Sequence, residues 1–183
     1  MPIKFNDGSE MSSGPQVLET FDSPCDGATI QLSGNRSVTM ENVTTDYALS
    51  TSYADIPGSS INYTPPTGTL QVIYRFQFHI GRGSDKPICH VKFFVDGNWC
   101  SHSKFTEYSN GSSLVQFRWG VNIGGATTHA TGRLGSWTSS KNLKLQAREW
   151  GSNHEVQMHE TQHWDGGGDE FVQPLLGITA IGT

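Results

Sequence analysis

The sequence is short of charge: only 16% of its 183 residues are Asp, Glu, Lys or Arg, and no stretch gathers Lys and Arg together. The 12 cations and 17 anions leave a net charge of -5. A phosphate backbone is held by several positioned cations, so nucleic acid is not an expected partner. Long apolar runs are missing too. No segment approaches the roughly 18 apolar residues of a membrane span, and the opening Met1-Pro2-Ile3-Lys4-Phe5-Asn6-Asp7 lacks the apolar stretch of a secretory signal. No membrane partner is expected, and synthesis in a cytoplasm is.

Cysteine is scarce. Cys25, Cys89 and Cys100 cannot all pair within the chain, so no disulfide framework is implied and reduced thiols are expected. The sequons at Asn35, Asn42, Asn62 and Asn110 would matter only in a secretory pathway. Local catalytic signatures are also absent: there is no G-x-S-x-G elbow, no Walker loop and no C-x-x-C, and Gly81-Arg82-Gly83 does not continue as a dinucleotide fingerprint. No catalytic residue, cofactor or metal is expected, and the chain is not expected to be an enzyme.

What is present is alternation. Val72, Tyr74, Phe76, Phe78 and Ile80 are apolar while Gln71, Arg75, Gln77 and His79 lie between them, the pattern of a half-buried strand. The same period runs through Val115, Phe117, Trp119, Val121 and Ile123, and more briefly through Leu143, Leu145 and Ala147. Val91–Val95 precedes Asp96-Gly97, a strong hairpin signal. That turn places Phe93 opposite Cys100 and Lys104 opposite Cys89, which sets the two cysteines about 13 Å apart in register, too far for a disulfide. Further strands are predicted near Ile30–Leu32, Val38–Val43, Ser60–Tyr63 and Phe171–Ile181. About ten short strands with little helix predict an all-β, single-domain, jelly-roll-like β-sandwich. Residues 1–20, broken by Gly8, Ser9, Ser12, Ser13, Gly14 and Pro15, read as an N-terminal arm, and residues 21–183 as the β domain.

Three local patterns invite a chemical reading. His159-Glu160-Thr161-Gln162-His163 matches H-E-x-x-H, in which a helix puts two histidines on one face to hold zinc. In a strand those histidines would stand roughly 13 Å apart, and the alternation through Val156 and Met158 favours a strand with no zinc. Glu155-Val156-Gln157-Met158-His159-Glu160 resembles the bulged strand motif of laminarinase-type jelly-roll glycosidases, whose two glutamates serve as nucleophile and acid; here Gln157 replaces the aspartate between them. Asp165-Gly166-Gly167-Gly168-Asp169-Glu170 could surround calcium but reads better as a loop tip. Trp99, Trp137, Trp150 and Trp164 are either core residues or sugar-stacking platforms, with Trp137, Trp164 and Asp165 as the candidate glycan or partner contacts.

Two longer phrases carry a family resemblance. They are Pro15-Gln16-Val17-Leu18-Glu19-Thr20-Phe21, and Tyr53-Ala54-Asp55-Ile56-Pro57-Gly58-Ser59-Ser60-Ile61-Asn62-Tyr63-Thr64-Pro65-Pro66 leading into the alternating strand at Val72–Ile80. Shorter matches follow at Gly132–Ser139, Leu145–Glu149, His159–Thr161, Trp164–Gly166 and Ile178–Gly182. The set resembles modules of phage and algal-virus structural proteins, which are similar in outline to the trimeric tumour-necrosis-factor-like jelly roll. The resemblance implies a structural protein on the outside of a virion, found in host cytoplasm during assembly. A capsid cement or decoration protein, or a fibre tip, would contact the major capsid protein or other virion proteins; the alternative is a carbohydrate-binding module that attaches particles to host or environmental glycans. It also implies a homotrimer. Ile73, Phe94, Leu176, Ile178 and Ile181, apolar residues beyond the need of a single inner face, are the candidate interface.

Overall fold

The alternating runs form strands because every second residue faces one side of a sheet, and the apolar ones close against a second layer. A computed structural model describes residues 3–4, 10–11, 14–82, 86–108, 111–162 and 169–183. The four strongest runs become Thr69–Arg82, Ile88–Val95, Ser113–Asn122 and Lys141–Glu149. The shorter predictions correspond to Thr29–Gln31, Ser37–Thr39 and Ile61–Tyr63. The predicted strand at Phe171–Ile181 divides into Asp169–Phe171 and Leu175–Gly182, with Pro174, which has no N–H to give a ladder, standing between them.

Four antiparallel pairings are nested in the chain. Gln16–Pro24 pairs with Leu175–Gly182, Ile61–Tyr63 with Lys141–Glu149, Thr69–Arg82 with Ser113–Asn122, and Ile88–Val95 with Phe105–Tyr108. The pairs fall alternately into two sheets, which is the wrapping of a jelly roll. In the first sheet Thr69–Arg82 lies between Leu175–Gly182 and Ser113–Asn122, with Val156–Met158 and Tyr47–Ala48 extending it. In the second, Ile88–Val95 joins Lys141–Glu149 to Asn98–Trp99 and Phe105–Tyr108, and Ala54–Asp55 and Ile61–Tyr63 cover the far side.

Between the sheets, Tyr74, Phe93 and Phe117 pack in tilted and edge-on contacts with centroids 4.9 to 6.0 Å apart. The two tyrosine hydroxyls drawn into this layer find acceptors, as burial favours. The Tyr74 hydroxyl donates to the Ser59 carbonyl at 2.7 Å, and the Tyr63 hydroxyl to Glu19 Oε1 at 2.7 Å. Glu19 in turn accepts from Arg36 at 2.6 Å and from the Ser33 hydroxyl at 2.9 Å. The phrase around Gly58-Ser59 is thus structural. Ser59 Oγ donates to the Leu145 carbonyl and accepts from the Leu145 N–H, while Gly58, at φ +81, packs where a Cβ would meet Cys25 Sγ at 3.1 Å.

The hairpin at Asp96-Gly97 forms with φ of 52° and 78°, the paired positive values that match strand twist. Cys100 N–H donates to the Phe93 carbonyl at 2.9 Å, as the register predicts. Beyond that point the register differs. A short 3-10 turn at Ser101–Ser103, held by Ser103 Oγ donating to the Cys100 carbonyl, delays the return strand, so Cys89 faces Glu107 rather than Lys104. The end of the segment read as an arm is ordered as a strand. Gln16–Thr20 are the first half of a strand paired with Leu175–Gly182.

Candidate binding surfaces

The H-E-x-x-H segment is not helical. Val156–Met158 and Glu160–Gln162 are strands, and His159 between them takes a left-handed φ of 64°. This kink turns the imidazole inward, fully buried, edge-on to Phe76 and Phe78. Nε2 lies 2.9 Å from the Pro57 carbonyl, which can only accept, so Nε2 carries the proton. Burial pushes the imidazole down to about 4, with His79 adding to the effect and the Pro57 carbonyl and Asp46 opposing it. His159 is a core residue, and His163 lies outside the described residues. The glycosidase-like pattern is interrupted at the same kink, with Glu155 exposed ahead of the strand and Glu160 beyond it. Of the candidate calcium loop, residues 165–168 lie outside the described residues.

The candidate contacts divide. Trp137 is in the core, where its indole N–H donates to the Tyr63 carbonyl at 3.1 Å, so it offers no ring face to a glycan. Trp164 and Asp165 lie outside the described residues. The candidate interface residues do not share a surface. Leu176 and Ile178 point between the sheets and are fully buried in the monomer's own core, opposite Phe76 and Tyr74. Phe94 lies on the outer face of the second sheet, across from Trp99 and Lys144. Ile73 and Ile181 lie on the outer phase of the first sheet, across from Thr179 and Gln71 respectively.

That outer face of the first sheet largely satisfies its own polar groups. Gln116 donates to Gln77 at 3.0 Å, Gln71 to Asn122 at 2.8 Å, and Thr20 and Thr179 share a bond at 2.8 Å. Arg75 reaches across Leu175–Gly182 to Asp22 at 3.0 Å and donates to Thr179 at 2.7 Å. The crossing needs Gly177, since a Cβ there would meet Asp22 Oδ1. A depression of about 330 Å³ is lined here by Arg75, Gln77, Arg118, Leu175 and Gly177. Leu114 is 47% exposed on the same phase, opposite His79.

Comparison with known protein families and with curated proteins finds no match. Among solved structures, the chain is similar to the CBM36-1 domain of a multidomain xylanase from the hindgut metagenome of Trinervitermes trinervoides, at 12% identity and a TM-score of 0.38, covering 87% of this chain and 96% of that one. It is also similar to infectious bursal disease virus Gx strain, at 10% identity and a TM-score of 0.36, covering 98% of this chain and 45% of that one. An exo-beta-agarase overlaps at 8% identity and a TM-score of 0.29, covering 94% of this chain and 24% of its own. Overlaps this loose say nothing of what this chain binds or builds.

The outer face of the second sheet differs in chemistry from that of the first. Lys92 Nζ sits 3.6 Å from the centroid of Tyr53 and 4.5 Å from that of Trp99, and Arg148 lies 5.5 Å from Tyr53. Trp150 stacks at 5.7 Å on His90, whose imidazole is held below its usual range by burial and by Arg148. A shallow groove of about 630 Å³ runs past Tyr53, His90, Lys92, Trp99, Lys104 and Thr106. A larger depression of about 700 Å³ includes Glu41, Asp55 and Asn62. Its carboxylates are engaged: Glu41 accepts from the Gly58 N–H and Asp55 from Lys144 and Gln146.

Proposed function

We propose that this chain is a non-catalytic structural protein of a virus particle's exterior, a cement or decoration protein first and a fibre tip second, assembled as a homotrimer. The interface is the outer face of the first sheet. The observation that carries this reading is the state of that face: amides and hydroxyls bond to each other, Arg75 is neutralised by Asp22 across Gly177, and Gly120 stands opposite Ile73 with no side chain over it. A surface with few polar groups seeking water can be covered by another copy at small desolvation cost, and cyclic symmetry closes such a contact into a finite assembly. The nested two-sheet wrapping, and the sequence resemblance over residues 15–182, support the same reading.

A role of this kind predicts that the protein co-purifies with intact particles and contacts the major capsid protein or a neighbouring virion component. A density map of the particles should hold a threefold feature of this shape on the exterior. Particles that contain the chain only inside the shell, or lack it, would overturn the proposal.

A further inference from the structure

We propose that the outer face of the second sheet binds an acidic polysaccharide of the uronic-acid type, with Tyr53, Trp99 and Trp150 as ring platforms and Lys92 and Arg148 as carboxylate partners. This goes beyond the structural role and does not depend on it, because the face lies on the side of the sandwich away from the proposed interface.

Three observations lead there. Large aromatic side chains are exposed where a folded core has no use for them: Trp150 at 58%, Trp99 at 38% and Tyr53 at 36%. Rings with apolar faces and polar edges suit the alternating C–H and hydroxyl surfaces of pyranoses. The rings also follow one line. Trp99 stands across from Phe94 at one end of Ile88–Val95, and the Trp150 N–H bonds to the Ile88 carbonyl at the other. Six residues of strand separate them, roughly 20 Å, a length that spans several sugars.

The second observation is charge. In a chain of net charge -5, this face presents Lys92, Lys104 and Arg148 with no ion pair to any carboxylate among the described residues, while Lys144 on the same strand as Arg148 is paired with Asp55 at 2.8 Å. The Lys92 ammonium is positioned by two ring faces, and such contacts hold a cation without neutralising it. Three separated cations fit a chain bearing a carboxylate on each sugar or on every second one, and are sparse for a phosphate backbone or a densely sulfated glycan. The third observation is shape. The groove is shallow and crosses the strands from Tyr53 past Lys92 to Trp99 and Lys104, so an extended occupant would lie over rings and cations drawn from several segments.

The test is calorimetric titration of the full chain with polygalacturonate, neutral β-glucan, heparin and oligo-dT at low salt, with variants Trp99→Ala, Trp150→Ala and Lys92→Gln, and with Lys141→Gln, whose ammonium is already paired with Asp96 away from the groove, as control. Thermal melting confirms folding, which the exposed Trp99 and Trp150 and the half-buried Lys92 on the sheet's outer side should preserve. The expected result is binding to polygalacturonate that weakens with salt, falls about tenfold or more in each of the three variants, and is unchanged in the control. No binding to polygalacturonate, equal binding to neutral glucan, or tighter binding to heparin or oligo-dT would overturn the proposal. So would folded variants that bind as the parent does. A monomeric protein that still binds polygalacturonate would refute the trimer while leaving this inference standing.

Discussion

Acid should loosen this fold through one residue. His159 is fully buried against Phe76 and Phe78, its Nε2–H given to the Pro57 carbonyl, and its Nδ1 has no hydrogen-bond partner. Protonation would therefore place a charge and an N–H donor where no acceptor waits. The imidazole is pushed from 6.5 down to about 4. Because the unfolded chain binds this proton more readily, stability is highest above about pH 6.5, falls as pH drops toward about 4, and changes no further from this group below that. Two and a half pH units at 1.36 kcal/mol each come to about 3 kcal/mol in all, and about 2 kcal/mol is already lost at pH 5. Urea titrations followed by tryptophan fluorescence, at about pH 7.5 and about pH 5, measure the loss. His159→Asn provides the comparison, since asparagine tolerates a left-handed φ and does not titrate. It should be less stable than the parent at neutral pH, from lost packing, yet should lose about 2 kcal/mol less on acidification. Histidines remote from His159 contribute equally to both proteins. Acid losses that agree within about 0.5 kcal/mol would refute the reasoning.

The three thiols should resist modification in the native state. All are buried, and burial pushes Cys25 and Cys89 up to about 12 and Cys100 to about 11; a thiol reagent should label none of them within minutes at neutral pH and all three in denaturant. Rapid labelling of any one in folded protein would contradict this placement. Gly58→Ala should cost about 2–4 kcal/mol, from a left-handed backbone together with overpacking against Cys25 and Val43. Gly97→Ala, with the same sign of φ but open space around it, should cost about 1–2 kcal/mol; equal losses in urea titration would show that packing at Gly58 is not tight.

The strands were legible because large side chains recur at every second position and both central residues of the Asp96-Gly97 turn accept positive φ. What eluded sequence reasoning is non-local. Gln16–Thr20 look like an arm until the last strand is seen beside them. Leu176 and Ile178 look surplus until their strand proves to be central in the first sheet, facing Phe76 and Tyr74 across the ladder. Trp137 is indistinguishable in sequence from Trp99 and Trp150, yet only Trp137 is enclosed, by Tyr63 and its carbonyl. The grouping of Tyr53, Lys92, Arg148 and Trp150 was missed because it joins three separate stretches of chain, which only the pairing of Lys141–Glu149 with Ile88–Val95 and with Ala54–Asp55 brings together. The H-E-x-x-H spacing misleads for the opposite reason: a local pattern implies a helix, and the first sheet claims Val156–Met158 as a strand instead.

Self-association through the outer face of the first sheet is tested most directly by mass. Light scattering coupled to size exclusion at micromolar concentration should give three times 20.0 kDa for the parent chain. Leu114→Lys together with Arg118→Glu, changes at exposed positions on that face, should return folded monomer. A parent chain that elutes as a stable 20.0 kDa species, or a trimer that survives both substitutions, would contradict the interface.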